Sequence, residues 1–128
     1  LNLQSYFNQN KGTGVLSTAN QHGEVNSAIY AKPHFFDSED EGTVAFIIRP
    51  RLSHQYVDSN PHASYLFIEN GQGYKGKRLA LTKIREEFNQ EKIAAVRRRN
   101  LPAQCETDAT DSRLVYFKVD NIRPLVGA

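Results

Sequence analysis

The chain has 128 residues, 39% of them apolar and 23% charged, the size and make-up of one domain spanning residues 1–128 at roughly 100–200 residues per domain. Sixteen Lys and Arg against fourteen Asp and Glu leave a net charge of +2, too small to demand nucleic acid or a membrane surface as partner, and no apolar run is long enough to cross a bilayer. The single cysteine, Cys105, excludes an internal disulfide and a cysteine-based zinc site, so a reducing, cytoplasmic compartment is expected.

Strand signals fill the first two-thirds of the chain. Residues Gly14 to Ala19 are small, apolar and β-branched, and Asn20-Gln21-His22-Gly23 supplies turn chemistry. Val25 to Ala31 alternates, with Val25, Ser27, Ile29 and Ala31 on one face and Asn26, Ala28, Tyr30 and Lys32 on the other, so the two runs read as a hairpin. A polar stretch, Asp37 to Gly42, leads into a third strand, Thr43 to Ile48, which stops at Arg49-Pro50 because proline has no N–H for a central ladder. Leu52 to Ser59 reads as a short helix ended by Asn60-Pro61. Ala63 to Ile68 is apolar enough for a strand buried on both faces. Lys77 to Glu86 is read as a strand, although Leu79, Leu81 and Ile84 also suit a helix. A helix then opens at the N-cap Asn89, uses Ile93, Ala94, Val96 and Leu101 as its apolar face, and closes at Pro102. Leu114 to Val119 gives the last strand. Six strands with one or two helices describe a mainly β chain, a small antiparallel barrel or sandwich. With no methionine the numbering does not begin at an initiator, and residues ahead of Leu1 are expected.

Several motifs compete for the function. Gly71-Gln72-Gly73-Tyr74-Lys75-Gly76 fits the letters GxGxxG, but without alternating strands and helices it reads as a turn. The better basic site is Arg49-Pro50-Arg51-Leu52-Ser53-His54, where two guanidinium forks, a hydroxyl and a helix start suit phosphate; Lys77 and Arg78 would add charge if their strand runs alongside. Arg97-Arg98-Arg99 matches what a helix dipole favours at its C-terminal end. His22, His34, His54 and His62 lack metal-ligand spacing, Cys105 has no adjacent base, and Glu86-Glu87 reads as a solvated strand end.

The order of these motifs resembles the pyridoxamine 5′-phosphate oxidase-like family of FMN-binding split barrels. The carrying residues are Gly14–Ala19, His22-Gly23, Val25–Ala31, Thr43–Ile48, the arginine turn and Asn60–Leu66, with Leu114–Leu125 as the closing strand. The resemblance implies a six-stranded antiparallel Greek-key split β-barrel that forms a homodimer and holds FMN between subunits. Carried over by position, Tyr30, Ala31, Lys32, Ile47 and Ile48 border the flavin. Arg49, Arg51, Ser53 and His54 face its phosphate, with Lys77 or Arg78 approaching from the fifth strand. Tyr30 and His34 are, by position alone, candidate proton donors. The chain has no tryptophan and ends in Ile122–Ala128, so the expected function is an FMN-dependent oxidoreductase on a small molecule other than pyridoxamine phosphate. Two alternatives stay open: the same barrel with haem or a deazaflavin, and a single-stranded nucleic-acid barrel using Tyr30, Tyr65 and Tyr116 as stacking platforms.

Overall fold

The computed structural model describes residues 2–36, 39–100 and 111–127. Asp37, Ser38, Leu101, Pro102 and Cys105 therefore lie outside the described residues, as do the side chains of Arg98 and Arg99. Nine elements follow one another: α1 (Leu3–Gln9), β1 (Gly12–Ala19), β2 (Val25–Tyr30), β3 (Thr43–Ile48), α2 (Leu52–Ser59), β4 (His62–Glu69), β5 (Gly76–Glu87), α3 (Gln90–Asn100) and β6 (Arg113–Pro124).

All six strands join one antiparallel sheet in the order β2-β1-β4-β5-β6-β3. The sheet curls until its two edge strands meet. The chain leaving β2 makes a single antiparallel bridge to β3, with His34 N–H donating to Ala45 O (2.8 Å) and Ala45 N–H to His34 O (3.0 Å). A barrel closed by one bridge is split along that seam, which positions the site described below.

The alternation read from the sequence is visible strand by strand. Gly14, Leu16 and Thr18 of β1 turn inward, as do Tyr65 and Phe67 of β4 and Leu79 and Leu81 of β5. Strand β4 is thus buried on one face, not on both as its apolar run suggested; Ile68 is exposed. On β2 the inward set is Asn26, Ala28 and Tyr30, leaving Val25 70% and Ile29 75% exposed. Strand β3 and the first half of β6 are covered on both sides. Val44, Phe46 and Ile48 enter the main core with Val115 and Phe117. On the other face Ala45, Leu114 and Tyr116 form a second cluster with Ile93 of α3. The main core is an aromatic lattice, in which Phe46 packs on Tyr65 (ring centroids 5.0 Å) and Phe117 (5.9 Å), and Phe7 on Phe67 (5.1 Å).

The helix starts follow local chemistry. Asn89 Oδ1 accepts from Lys92 N–H at 3.0 Å, the N-cap expected for α3. The hairpin turn is organised by Asn20, whose Oδ1 accepts from His22 and Glu24 N–H, while Gly23 takes φ +82°. Helix α1 was not expected. Asn2 Oδ1 caps Ser5 N–H at 3.1 Å, and Leu3 and Phe7, four residues apart, bury one face in the core. None of the described helices is long and apolar enough to cross a membrane.

Candidate functional site

A cleft of about 650 Å³ opens along the seam. One wall is α1, through Gln4, Phe7 and Asn8. The chain leaving β2, from Tyr30 to Phe35, forms the second, Phe46 and Ile47 of β3 the third, and Val96 and Arg97 of α3 the fourth. Its size lies within the roughly 300–1,000 Å³ usual for small-molecule sites. The lining is aromatic, aliphatic, amide and cationic; no lining residue among the described ones is acidic.

Each wall is held by identifiable contacts. The Lys32 ammonium donates to the carbonyls of Phe7 (2.7 Å) and Asn10 (3.1 Å), so it ties the end of α1 to the cleft. Tyr6 Oη donates to Glu69 Oε2 at 2.6 Å and fixes α1 from its other side. The Tyr65 hydroxyl crosses beneath β1 to donate to Ala31 O (3.1 Å) and Tyr30 O (3.3 Å). Burial pushes that phenol far above its ordinary range, so it remains a donor. Gly14 makes the crossing possible, because a Cβ there would sit 1.8 Å from Tyr65 Oη. On β3, both polar backbone groups of Ala45 face His34. Strand alternation turns those of Ile47 to the same side, toward the cleft that Ile47 lines.

Helix α3 is anchored by Lys92, whose ammonium donates to Tyr116 Oη (2.8 Å) and Glu87 Oε1 (3.0 Å), while Tyr116 Oη donates to Glu87 at 2.5 Å. Glu87 is therefore a half-buried ion-pair partner, and the reading of Glu86-Glu87 as a solvated strand end is corrected: both stand at the end of β5, but each is only partly exposed and ion-paired. Glu86 belongs to a second network. Lys83 Nζ bridges Glu86 Oε1 (2.7 Å) and Asp58 Oδ1 (2.8 Å), and His54 Nε2 lies 3.2 Å from Glu86. His54, Asp58 and Glu86 each bring one donor atom within 4.8 Å of the others, and the cation already among them is the Lys83 ammonium.

This second network sets a pH dependence. Hydrogen bonding from Lys83 holds the Asp58 carboxyl below its usual range. For Glu86 burial acts upward, but the hydrogen bonds of Lys83 and His54 outweigh it and the net shift is downward. Both folded values lie below the unfolded ones near 4, so their stabilisation is complete above that pH and is lost as the pH falls through the lower folded values. Lys83→Met is expected to remove the bridging cation, destabilise the fold at neutral pH and shift the acid-unfolding midpoint upward. Circular dichroism across pH 2–7 at fixed temperature measures this, and an unchanged midpoint would show the network to be energetically idle.

Of the residues singled out from the sequence, Tyr30, Ala31, Lys32 and Ile47 line the cleft together, as does His34. Ile48 turns into the main core instead, because β3 alternates. Arg49 follows β3 at the end of this wall, and Arg51 is the exposed N-cap of α2 with no side-chain cap bond. Ser53 is buried and accepts from Asn26 Nδ2 at 3.2 Å, and His54 faces carboxylates. Lys77 and Arg78 are not brought to this end of the chain. Lys77 pairs with Pro124 and stacks over Tyr6, and Arg78 donates to the carbonyls of Pro124 and Gly127. Glu87, at the other end of β5, pairs with Leu114, which pairs with Ile47. At about 3.3 Å per residue, roughly 30 Å of strand separates Lys77 from Glu87, so Lys77 meets the α1 side of the cleft at Tyr6 and not its Arg49 end.

Sequence reasoning missed the α1 wall and Arg97. The signal for Arg97 was present: it stands four residues after Ile93, on the apolar side of α3, and not on a solvated face. Tyr65 and Tyr116 are fully buried, which removes two of the three stacking platforms of the nucleic-acid reading.

No family model matches the sequence, and no curated protein does. Solved structures do. An FMN-binding protein from Syntrophomonas wolfei subsp. wolfei superposes with a TM-score of 0.75 at 17% identity, over 99% of this chain and 86% of that one. An F420 reductase gives 0.67 at 13% identity, over 93% and 94%. A candidate pyridoxamine 5′-phosphate oxidase from Listeria innocua gives 0.64 at 16%, over 96% and 94%.

Proposed function

We propose, from the split-barrel fold of pyridoxamine 5′-phosphate oxidase-like structures that this chain adopts, that the protein binds FMN in the seam cleft and serves as an oxidoreductase on a small molecule. The observation that carries the reading is the lining of the cleft: aromatic at Phe7, Tyr30 and Phe46, edged by the backbone of Ile47, and cationic with no acid among the described lining residues. A planar ring bearing an anionic tail fits such a lining better than a cationic or purely polar ligand does. The likeness to an FMN-binding protein and an F420 reductase supports a flavin-type cofactor.

Bound flavin would carry the electrons. The chain's own part is to hold the ring between the sheet edges, to shield it with α1 and to attract its phosphate to the arginine end of β3. Tyr30 and His34, both in the lining, are the groups placed to exchange a proton with a substrate there.

A second copy of the chain belongs to this reading. The outer face of β2, β1 and β4 carries Val25, Ile29, Val15, Leu66 and Ile68 with no helix over it, and Val25 and Ile29 are the most exposed aliphatics on it. A cytoplasmic homodimer joined there would bury the face and bring the distant Lys77–Arg78 end of a partner within range of this site.

Absorption spectroscopy of the purified chain during titration with FMN, F420 and haemin, with sedimentation to read the mass, tests the reading. Flavin bands that shift on saturation of a dimer are expected. Saturation by F420 with FMN ignored keeps the fold and replaces the cofactor, and a Soret band with no flavin binding overturns the flavin reading.

A further inference from the structure

Two arginines, Arg49 and Arg97, come near one another at one end of the cleft, and among the described residues no counter-ion is with them. Arg113 pairs with Ile48 as the last pair of the β3–β6 ladder, and Ser112 and Arg49 are the next residues beyond it along the two segments. Arg97 reaches the same point from α3, where its Nη2 lies 3.5 Å from the Oγ of Ser112, a residue with no exposed surface. Gln90 Nε2 donates to the Ser112 carbonyl at 3.2 Å and so pins this junction to α3. Among the described residues no carboxylate lies within ion-pair distance of Arg49 or Arg97, whereas Arg85 has Glu39 and Arg113 has Glu86. Burial first, and the neighbouring Arg49 charge second, push the Arg97 guanidinium below its ordinary range.

Juxtaposed, partly desolvated like charges are unfavourable by themselves, and the cost persists in a fold when an anion relieves it. We propose that Arg97 and Arg49 form a clamp for a phosphate monoester at the α3 end of the cleft. Two guanidinium forks supply donors in the planar geometry that a phosphate accepts, and two positive charges match a dianion in a way that one does not. The phosphate has two possible sources, the cofactor itself or a phosphorylated substrate, and only the first rests on the flavin reading.

The test is calorimetric titration of the full chain with inorganic phosphate, with wild type, Arg97→Leu, Arg97→Lys and Arg49→Leu compared after circular dichroism shows each to be folded. Losing one charge-assisted donor pair should weaken phosphate binding by roughly ten- to a hundredfold in Arg97→Leu, with partial recovery in Arg97→Lys. If the phosphate belongs to the cofactor, inorganic phosphate competes with FMN but not with riboflavin, and Arg97→Leu narrows the affinity gap between those two. If it belongs to a substrate, phosphate still binds the FMN-loaded protein and loses that affinity in Arg97→Leu. Arg97-dependent phosphate binding in a chain that ignores both flavins leaves the clamp standing while the cofactor assignment falls. Equal phosphate affinity in wild type and Arg97→Leu overturns the clamp.

Discussion

Replacing Gly14 by valine is expected to leave little folded protein, although the position reads as an ordinary strand residue. A Cβ at Gly14 would lie 1.8 Å from Tyr65 Oη and 2.3 Å from Cζ. Neither partner can retreat. Gly14 is paired on both sides, with Tyr30 on β2 and Phe67 on β4, and the Tyr65 ring is fully buried against Phe46. Moving Tyr65 would cost a core repacking of about 1–3 kcal/mol or more, and its bonds to Tyr30 O and Ala31 O would add about 1 kcal/mol each. A total near 3–5 kcal/mol is a large share of the roughly 5–15 kcal/mol by which domains are stable. Urea unfolding should therefore show a much lower midpoint for Gly14→Ala and no native baseline for Gly14→Val. Because the clash is with one side chain, Gly14→Ala combined with Tyr65→Leu should be less destabilised than the sum of the single changes. A Gly14→Ala protein as stable as wild type would mean that Tyr65 does not cross at this glycine.

The pattern of what could be read from the chain follows from the range of each interaction. Strand β3 and helix α2 have the bounds expected of them because Pro50 and Pro61 act on their immediate neighbours. Strand β5 was ambiguous, since Leu79, Leu81 and Ile84 satisfy two periods at once. The structure resolves it through strand alternation, which puts Leu79 and Leu81 in the core, and through an irregularity between Lys83 and Arg85 that leaves Ile84 unpaired with β6 and exposed. Helix α1, with seven residues, is too short to show a period and stands by tertiary burial of Leu3 and Phe7. For the site, residues flanking one seam were legible because Tyr30–Lys32 and Ile47 end strands that a hairpin and a proline delimit. The positions of Arg97 and Lys77 relative to the cleft were not legible for one physical reason: which strand end faces which helix is a property of sheet order, and charge alone does not encode it. The helix-dipole account of Arg97 places its charge correctly along α3, yet says nothing of the Ile93 side on which it lies.

Arg49→Glu should do something rarer than abolish binding, because it should also make the protein more stable. In the native chain the two guanidiniums at the end of β3 raise each other's cost. The introduced carboxylate would face Arg97 in place of a phosphate, converting a repulsion into an ion pair. Since the position is half-buried, the gain is modest, about 0.5–1 kcal/mol once solvent screening is allowed for. The loss of ligand is larger, because an incoming phosphate would meet a fixed negative charge and find Arg97 already engaged; binding weaker by roughly a hundredfold or more is expected. Riboflavin, which lacks the phosphate, should be affected little. Arg51→Glu, at the exposed N-cap of α2, should weaken FMN too, with only the few tenths of a kcal/mol, roughly, that an acid in place of a cation gains at an exposed helix N-terminus. Thermal unfolding and flavin titration on the same samples separate these outcomes. An Arg49→Glu protein that is less stable than wild type and still retains FMN would place the phosphate elsewhere and return Arg49 to solvent. Stability gained together with affinity lost would identify the arginine pair as a strain kept for its ligand.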